Sequence, residues 1–254
     1  MADAAQPITL ITGASSGIGA ALARRLARHG DHVILVARRL RLLQEVAADI
    51  AAAGGGSEIS VCDVTIGDAA RACVADAVRK HGRIDRLILN AGGGSRTPPE
   101  RLTSADMRAS FDLNLFGVVN FVEAALPTLL KQGSGQIVAI GSIAGFRGLP
   151  HSASYGAAKA ALMNYIESLR IDLAPYGIAV TLAAPGFVVT RRTAKQRARP
   201  MAIGLDRAVD ILVKSILKKK RYVSFPWHLV WVARLMRLLP ASLYDRLIRA
   251  LDRR

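Results

Sequence analysis

Cysteine is scarce in this chain, whose 254 residues include only Cys62 and Cys73. The two lie in a strand-like and a helix-like segment and lack the spacing of metal ligands, so we expect buried, reduced thiols. This scarcity excludes a disulfide framework, and no metal site is predicted. Reduced thiols suit a cytoplasmic protein.

Long apolar runs are absent as well. No run reaches about 18 uninterrupted apolar residues, so we expect no membrane-spanning helix. The first residues, MADAAQPITLITG, have no basic segment ahead of their apolar run, and a secretory signal is therefore not expected. The expectation is a cytoplasmic protein that begins at this methionine.

Acidic residues are few only in the last quarter of the chain. Residues 191–254 contain 17 Lys and Arg against 4 Asp and Glu, whereas residues 1–190 contain 18 against 15. The net charge of +16 is thus a property of the C-terminal part. Because the larger part is nearly neutral and no basic segment is interleaved with aromatic residues on a recognised module, we predict no nucleic-acid partner.

What the chain does contain is an alternation of two patterns. Short, β-branched apolar runs read ITLITG, HVILVA, EISVCDV, IDRLILNAG, GQIVAIGS and IAVTLAAPG, and RYVSF at 221–225 adds a seventh. Helical patterns separate the first six runs, at 17–29, 39–53, 67–81, 105–131 with a break near Asn114, and 152–175. The alternation predicts an α/β fold, a doubly wound parallel sheet of the Rossmann type with strands buried on both faces and helices on both sides.

In such a sheet, ligands bind beyond the carboxyl ends of the strands. TGASSGIG follows the first strand, and Gly13, Gly17 and Gly19 within it suit a tight turn. A turn between a strand and a helix brings the amides of the helix N-terminus against a phosphate. The segment therefore predicts a nucleotide site.

The end of the second strand indicates which dinucleotide binds. HVILVARRL has Ala37 where an acidic residue usually holds a free ribose 2′-hydroxyl, and Arg38 and Arg39 follow. Guanidinium groups pair with a 2′-phosphate through charge-assisted hydrogen bonds. We therefore predict NADP(H), with Arg38 as the main contact and Ser15 as a helper. The alternative is that both arginines begin a solvated helix.

A tyrosine and a lysine lie one turn apart in SYGAAKAALMNYIESLR, residues 154–170, whose pattern is that of an amphipathic helix. A lysine ammonium beside a phenol lowers the phenol pKa from about 10 toward neutral pH. Tyr155, next to Lys159, would then be able to give or take a proton. The alternative is a surface turn flanked by an aromatic and a basic residue.

Together, these motifs resemble those of the short-chain dehydrogenase/reductase family in its compact, single-domain branch. The resemblance runs from about residue 7 to residue 190, in order and at suitable intervals. It is carried by TGxxxGxG at 12–19, Asp63, NAG at 90–92, Asn114, Ser142, Tyr155 with Lys159, and PGFVVT at 185–190.

The resemblance implies an enzyme that transfers a hydride between a nicotinamide and a carbonyl or alcohol carbon. By this resemblance Tyr155 is the general acid and base, Lys159 depresses its pKa and binds the nicotinamide ribose, and Ser142 binds the substrate oxygen. Asn114 helps to place Lys159 through a water, or it serves only to interrupt its helix.

The resemblance also implies the cofactor contacts. The residues assigned to the pyrophosphate are Gly13, Ser15, Ser16, Ile18 and Gly19, and those assigned to the adenine are Asp63 and Val64. The adenosine and ribose side is assigned to Asn90, Ala91 and Gly92. The nicotinamide end is assigned to Pro185, Gly186, Val188 and Thr190. For two of them a simpler role stays open, because Asp63 also suits a turn cap and Thr190 a solvent-exposed hydroxyl.

The substrate side is less well defined. Residues that flank the catalytic positions predict an apolar pocket for a lipophilic carbonyl such as an acyl or sterol group: Ile143, Phe146, Leu149, His151 and Phe187. Nearby arginines would meet an acidic group or merely occupy loops: Arg96, Arg147, Arg191 and Arg192. The predicted function is NADP(H)-dependent carbonyl reduction by a homodimer or homotetramer. The alternatives are NAD(P)-dependent alcohol oxidation and a dinucleotide-binding sensor without turnover.

Residues 226–254 are predicted to be a basic amphipathic extension of a single domain at 1–225. Pro240 separates two apolar stripes, Leu229, Val232, Leu235, Met236 and Leu239, then Leu243, Leu247, Ile248 and Leu251. Basic residues lie beside them: Arg234, Arg237, Arg246, Arg249, Arg253 and Arg254. With Trp227 and Trp231 near one end, such helices suit the surface of an anionic membrane and would also wall the pocket. The alternative is packing on a substrate lid or on a second subunit.

Overall fold

The structure, a computed structural model, describes residues 6–94, 97–190 and 201–252. Its strands are β1 Ile8–Thr12, β2 His32–Ala37, β3 Ser57–Val61, β4 Arg86–Leu89, β5 Gly135–Ile140, β6 Ile178–Pro185, β7 Val188–Val189, β8 Ile203–Gly204 and β9 Tyr222–Phe225. Seven of them form one parallel sheet in the order β3-β2-β1-β4-β5-β6-β9, and β7 pairs with β8 separately.

Helices cover both faces of this sheet. They are α1 Gly17–Arg28, α2 Leu40–Ala52, α3 Gly67–His81, α4 Ser104–Phe111, α5 Gly117–Gln132, α6 Ala153–Leu173, α7 Leu205–Leu217, α8 Trp227–Leu238 and α9 Ala241–Asp252. One apolar layer lies between the sheet and α3, α5 and α6, and the other lies between the sheet and α1, α2 and α7. The predicted doubly wound α/β fold is confirmed.

The central strands are apolar on both faces because helices cover each face. In β1, Leu10 packs in the layer with α3, α5 and α6, and the next residue, Ile11, packs in the opposite layer. Both side chains are completely buried. Successive residues of a strand point in opposite directions, so a strand covered on two sides needs a continuous apolar run.

The edge strand β3 departs from that expectation. Its residues are half-buried, and Val61 at its end is exposed. Within the described part of the chain, β3 pairs with β2 alone, so one of its sides has no neighbouring strand. The prediction of burial on both faces was wrong here because an apolar run does not show whether its strand lies at the centre or at the edge.

The helical pattern at 105–131 forms one long segment with a change of pitch. A π-helical turn, Asp112–Phe116, joins α4 to α5 and contains the buried Asn114. The predicted break is therefore a widened turn and not an end. By length and composition alone, 104–132 would be able to cross a membrane, but one side of it, including Phe121, packs in the core.

Two further features concern the core. Cys62 and Cys73 are free and buried, which confirms the predicted burial; their reduced state stays a prediction. α7 is not among the predicted helices, although Ala208, Leu212 and Ile216 recur at helical spacing and are buried. Because its apolar face packs against α1, α7 completes the layer on that side of the sheet.

The C-terminal helices fold back onto the loop after β5. The Arg147 guanidinium donates hydrogen bonds to the carbonyl of Met236 and, at 2.9 Å, to that of Leu239, and it lies 3.8 Å from the centroid of the Tyr244 ring. The Tyr244 hydroxyl donates to the carbonyl of Gly148. Arg147 therefore holds the tail on the loop, and its predicted role as a receptor for an acidic group stays a prediction.

The predicted apolar stripes of the tail are divided between two faces of each helix. Leu229 and Met236 are half-buried, whereas Val232 and Leu235 are exposed. In α9, Tyr244 is buried, and it belongs to neither predicted stripe. Apolar residues lie on more than one side of both helices, so spacing alone does not identify the inner face. The domain boundary at residue 225 stays a prediction.

Candidate active site

The carboxyl ends of the parallel strands bring the predicted residues to one edge of the sheet. The glycine turn follows β1, NAG follows β4, Ser142 follows β5, and Pro185 ends β6. This is the edge at which open α/β sheets bind their ligands. Segments that are far apart in the sequence therefore line one cleft.

Close packing explains the glycines after β1. Gly13 has a φ of 69°, and a Cβ there would lie 2.8 Å from the Cα of Ala91. A Cβ at Gly19 would collide with the carbonyl oxygen of Gly13. The side-chain amide of Asn90 donates to the carbonyls of Thr12 at 3.1 Å and Gly13 at 3.3 Å. The turn and the NAG segment thus form one tightly packed unit.

The N-terminus of α1 fits an anion. Within the described residues the N-cap, Ser16, makes no side-chain capping hydrogen bond, and the first turn, which contains Ile18, has no acidic residue. The Arg39 guanidinium donates to the hydroxyls of Ser15 at 2.9 Å and Ser16 at 2.8 Å. Helix amides, hydroxyls and a guanidinium are groups that bind phosphate oxygens. The residues present therefore fit the phosphates of a dinucleotide.

Arg38 pairs with the residue assigned to adenine. Its Nη1 lies 3.2 Å from Oδ2 of Asp63, and Oδ1 of Asp63 accepts from the amide of Thr65 at 3.0 Å and from its hydroxyl at 2.9 Å. Burial would raise the pKa of the Asp63 carboxyl, but hydrogen bonds from Thr65 and Arg38 outweigh it and lower that pKa. Asp63 thus caps a turn and also fixes one of the two arginines at the rim of the cleft.

Other predicted cofactor residues occupy the same edge. Thr190 lies at the start of α1, since a Cβ on Gly17 would be 3.6 Å from its Cγ2. Val188 is buried in β7. Val64 differs from the rest, because its side chain packs in the core and its carbonyl accepts from the Asn120 amide at 2.9 Å. A contact between Val64 and adenine would therefore use its main chain.

Lys159 is a buried charge at the centre of the cleft. The residue is 4% exposed, and its Nζ donates to the carbonyl of Ile140 at 2.8 Å. Burial lowers the pKa of Lys159 to about 8. A Cβ on Gly92 would lie 3.2 Å from Nζ of Lys159 and 2.9 Å from Oδ1 of Asn114. The lysine, the asparagine and the NAG segment therefore meet at one point.

Asn114 fastens the widened helical turn to the loop after β4. Its Oδ1 accepts from the amide of Gly93 at 3.0 Å, and its Nδ2 donates to the carbonyls of Gly93 at 2.8 Å and Ser110 at 3.0 Å. The side chain is completely buried. Both predicted interpretations of Asn114 agree with this geometry, since it lies in the interrupted helix and beside Lys159.

Tyr155 and Lys159 lie on one face of α6, as their spacing predicts. Nζ of Lys159 is 5.9 Å from the centroid of the Tyr155 ring. A Cβ on Gly94 would lie 2.6 Å from the same ring, so the loop after β4 passes directly against it. The phenol is thus bracketed by the lysine and by a segment that has no room for a side chain.

Ser142 ends β5 and begins a short turn, Ile143–Gly145. Its hydroxyl accepts a hydrogen bond from the amide of Ala144 at 3.2 Å. The turn packs on α6, because a Cβ on Gly145 would lie 2.9 Å from the carbonyl carbon of Lys159. Ser142 is therefore held next to the helix that carries Tyr155.

The substrate side of the cleft includes the C-terminal tail. A Cβ on Gly186 would lie 3.3 Å from Cδ1 of Ile143 and 2.7 Å from Cδ2 of Leu229, so α8 reaches the end of the cleft assigned to nicotinamide. This contact supports the predicted wall. Half-buried or exposed positions are found for Phe146, Leu149, His151 and Phe187. Three predicted arginines lie outside the described residues: Arg96, Arg191 and Arg192.

A cavity of about 190 Å³ also opens beside Tyr155. Residues that line it include Gly93, Thr97, Asp106, Ser110, Leu113 and Ser154. The hydroxyls of Ser110 and Ser154 are buried there without a hydrogen-bond partner in the described part of the chain. Neither serine is a predicted site residue, since they come from different helices and share no motif.

Comparison with known proteins identifies the family. The sequence profile of the short chain dehydrogenase family matches residues 7–200. The chain belongs to the short-chain dehydrogenase/reductase family. This short-chain dehydrogenase/reductase is 38% identical over 252 residues to an uncharacterized oxidoreductase of Myxococcus xanthus, and the match covers 99% of this chain and 100% of that protein. The prediction of an NAD(P)-dependent oxidoreductase is confirmed.

Two other similarities extend over most of the chain. 11-beta-hydroxysteroid dehydrogenase A of Sesamum indicum is 32% identical over 269 residues, which covers 93% of this chain and 77% of that protein. The crystal structure of a metagenomic short-chain oxidoreductase in complex with NADP is similar with a TM-score of 0.74 at 32% identity, covering 86% of this chain and 94% of that one. The family profile, which matches residues 7–200, includes all of the predicted cofactor and catalytic residues.

Proposed function

We propose that this short-chain dehydrogenase/reductase reduces a carbonyl group of a lipophilic substrate with NADPH, and that Tyr155 supplies the proton. The observation that carries the proposal is the buried amine of Lys159, which lies one helical turn from Tyr155 and beside Asn114. Burying this amine costs stability, because its charged form loses hydration. Its position next to a phenol therefore favours a role in proton transfer.

A bound nicotinamide would supply the hydride to the carbonyl carbon. The residues of this chain would then act on the oxygen. The Ser142 hydroxyl would donate a hydrogen bond to it, and the Tyr155 phenol would give it a proton as negative charge develops. Lys159, whose pKa is about 8, would exchange protons close to neutral pH and so restore the phenol. Asn114 would fix the position of the Lys159 amine relative to the loop that contains Gly93.

The coenzyme is proposed to be NADP(H) on the strength of two arginines. Ala37 ends β2, so no acidic side chain is available there to accept from a 2′-hydroxyl. Arg39 is held by Ser15 and Ser16 and Arg38 by Asp63, which places two guanidiniums at the rim of the cleft before any phosphate arrives. The NADP complex of the metagenomic relative supports this choice.

The proposal of a lipophilic substrate rests on the apolar residues on two faces of α8. Leu229 contributes to the wall of the cleft, whereas Trp227, Trp231, Leu235 and Leu238 form an exposed stripe on the other side. An exposed apolar stripe on a chain with an excess of basic residues near its C-terminus suits the surface of an anionic membrane. The name of the Sesamum indicum relative, a hydroxysteroid dehydrogenase, supports an apolar pocket. We therefore propose peripheral contact with an anionic membrane. We also propose that the protein is cytoplasmic and forms a homodimer or homotetramer.

A substrate screen with a paired variant tests the proposal. Oxosteroids, 3-oxoacyl thioesters, ketones and aldehydes are incubated with NADPH or NADH, and oxidation of the coenzyme is followed by absorbance. Tyr155→Phe should lower kcat by about 10²–10⁴-fold and change the dissociation constant of NADPH by less than about twofold. Tyr165→Phe, on the same helix but packed against the core, is the matched control and should keep wild-type kcat.

Two outcomes would contradict the proposal. A Tyr155→Phe enzyme with nearly wild-type kcat would remove the phenol from the mechanism. A wild-type protein that binds NADPH but turns over none of the carbonyl substrates, and none of the corresponding alcohols with NADP⁺, would favour the dinucleotide-binding sensor.

A further inference from the structure

A cluster of side chains that can coordinate a metal ion lies at the amino ends of the strands, at the opposite end of the sheet from the cleft. His32 begins β2, Glu58 lies near the start of β3, and His81 ends α3. Glu58 pairs with Ile34, two positions on from His32, so His32 and Glu58 point to the same face of the sheet. One donor atom from each of the three residues lies within 4.8 Å of the other two. We refer to His32, Glu58 and His81 as the edge cluster.

The contacts within the edge cluster are close but incomplete. Nε2 of His81 lies 3.0 Å from Oε1 of Glu58, and the rings of His32 and His81 are 4.9 Å apart between centroids. Nε2 of His32 is buried and has no hydrogen-bond partner among the described residues. A Cβ on Gly56 would lie 2.8 Å from Nδ1 of His32, so the glycine leaves room for the ring. A buried ring nitrogen without a partner is costly, and a ligand would offset that cost.

We propose that the edge cluster binds a divalent cation of the zinc class, with His32, Glu58 and His81 as ligands and water in a fourth position. Two imidazoles and one carboxylate are a ligand set that zinc accepts, and imidazole favours Zn²⁺ over Mg²⁺ or Ca²⁺. This inference concerns a site remote from the cleft and does not rest on the proposed function.

The distances allow coordination after small side-chain movements. Metal–ligand bonds of about 2.0–2.1 Å place neighbouring donors of a tetrahedral site about 3.3 Å apart. The separation of 3.0 Å between His81 and Glu58 is already near that value, and the widest separation in the edge cluster, at most 4.8 Å, would close by about 1.5 Å. All three residues are half-buried, so their side chains have room to move.

The ammonium group of Lys80 would compete with the proposed metal ion for the Glu58 carboxylate. Its Nζ lies 3.2 Å from Oε2 of Glu58 and 2.7 Å from Oδ2 of Asp76. Because the carboxylate oxygen that faces His81 is the other one, Oε1, the metal and the ammonium would use different oxygens. Asp76 would keep Lys80 paired if Glu58 turned toward the metal.

Bound metal would join three elements at the edge of the sheet. β3 has a single neighbouring strand in the described part of the chain, and its residues are half-buried. A metal held by β2, β3 and α3 would fasten this edge, which predicts an effect on stability and none on catalysis. The sequence predicted no metal because the three ligands are widely spaced and follow no ligand-spacing motif.

The test uses the full chain after treatment with a chelator. Zn²⁺ is titrated by isothermal calorimetry, and unfolding is followed by circular dichroism with and without the metal. We expect one Zn²⁺ per chain, a rise in Tm of roughly 5–10 °C at free zinc one hundred times Kd, and a kcat that zinc does not change. Co²⁺ in place of Zn²⁺ should give the visible absorption of a tetrahedral site.

Variants separate the edge cluster from other ligands. Glu58→Gln and His81→Gln keep hydrogen-bonding side chains and should weaken zinc binding at least about tenfold. Two controls should keep wild-type affinity: His29→Gln, an exposed histidine after α1, and the double variant Cys62→Ala, Cys73→Ala. No zinc uptake by the wild type, unchanged affinity in both glutamine variants, or loss of binding in the cysteine variant would each overturn the proposal.

Discussion

Two amphipathic helices of this protein, α5 and α8, use similar residues in opposite ways. α5 turns Phe121 and Leu129 toward the sheet, where both are completely buried. α8 buries Val230 but leaves Trp231 and Leu238 exposed. Both helices carry apolar residues at helical spacing, so the period of the sequence does not account for the difference. The difference comes from the neighbours, since α5 covers a face of the sheet, whereas α8 contacts the edge strand β9 and the loop after β5.

The same comparison separates residues that stabilise the fold from residues available to a partner. Burial contributes roughly 25 cal/mol for each Å² of apolar surface removed from water, so the inner face of α5 stabilises the folded chain. The outer face of α8, where Trp231 is 57% and Leu238 is 81% exposed, contributes much less within the described part of the chain. Large apolar side chains that are clustered on a surface usually mark a site of interaction. The tail is therefore the region in which substitutions should affect binding more than stability.

Truncating one residue on each helix tests this comparison most strongly. Phe121→Ala should lower the free energy of unfolding by about 3–5 kcal/mol, because it leaves a cavity under a completely buried ring. Leu238→Ala should change it by less than about 0.5 kcal/mol, since that side chain is 81% exposed. Urea denaturation followed by circular dichroism measures both values. A large loss in Leu238→Ala would mean that a second subunit buries the outer face of α8 in solution.

Burial of a charge leads to the opposite prediction, a variant that gains stability relative to the wild type as pH falls. The pKa of Lys159 is lowered from 10.5 to about 8 by burial, so between these values the unfolded chain binds more protons and the wild type becomes more stable as pH rises. Lys159→Met removes this dependence. The unfolding free energy of Lys159→Met minus that of the wild type should fall by up to about 3 kcal/mol from pH 7.5 to pH 10.5.

The absolute difference at any one pH is less informative, because methionine also loses the hydrogen bond to the carbonyl of Ile140. Lys131→Met, at an exposed position near the end of α5, is the control and should show no comparable change across the same range. A difference between Lys159→Met and the wild type that stays constant with pH would show that the amine is not buried as a costly charge.

Much of the fold was predictable from the sequence because its central strands must be apolar on both faces. The helices between them carry a regular period, which is why α1, α3 and α6 match their predicted ranges within a few residues. The half-buried state of β3 and the outer face of α8 were not predictable. Both depend on what lies next to the element, and neither a propensity nor a period contains that information.

The candidate site divides in the same way. Helical spacing predicted that Tyr155 and Lys159 would lie together, and the family resemblance implied that Asn114 would join them; the structure brings all three to one cleft. The buried hydroxyls of Ser110 and Ser154, and the edge cluster, follow no motif. Their partners come together only when distant segments pack, so no local pattern marks them.

Arg38, at the rim of the cleft, is exposed like the charged residues around it, but its proposed role in binding the 2′-phosphate is specific. Arg38→Ala should lower the preference for NADPH over NADH, measured as the ratio of kcat/KM values, by about tenfold or more, because a charge-assisted bond to the 2′-phosphate is lost. Arg41→Ala removes a neighbouring guanidinium that pairs with Glu45 and should leave the ratio unchanged. Unchanged selectivity in Arg38→Ala, or a wild-type preference for NADH, would contradict the proposed coenzyme.

Substitutions on the outer face of α8 should have the smallest effect on the stability of the folded chain and a clear effect on its binding to membranes. Replacing Trp227, Trp231, Leu235 and Leu238 together by serine removes an exposed stripe, so the free energy of unfolding and kcat on a water-soluble carbonyl should stay near wild type. The wild type should float with anionic liposomes at low salt, less with neutral ones, and the variant with neither. Ile171→Ser, an exposed apolar residue on α6, is the matched control and should float like the wild type. A wild-type protein that ignores both liposomes, together with a variant that loses its oligomeric state in analytical ultracentrifugation, would assign the stripe to a subunit interface instead.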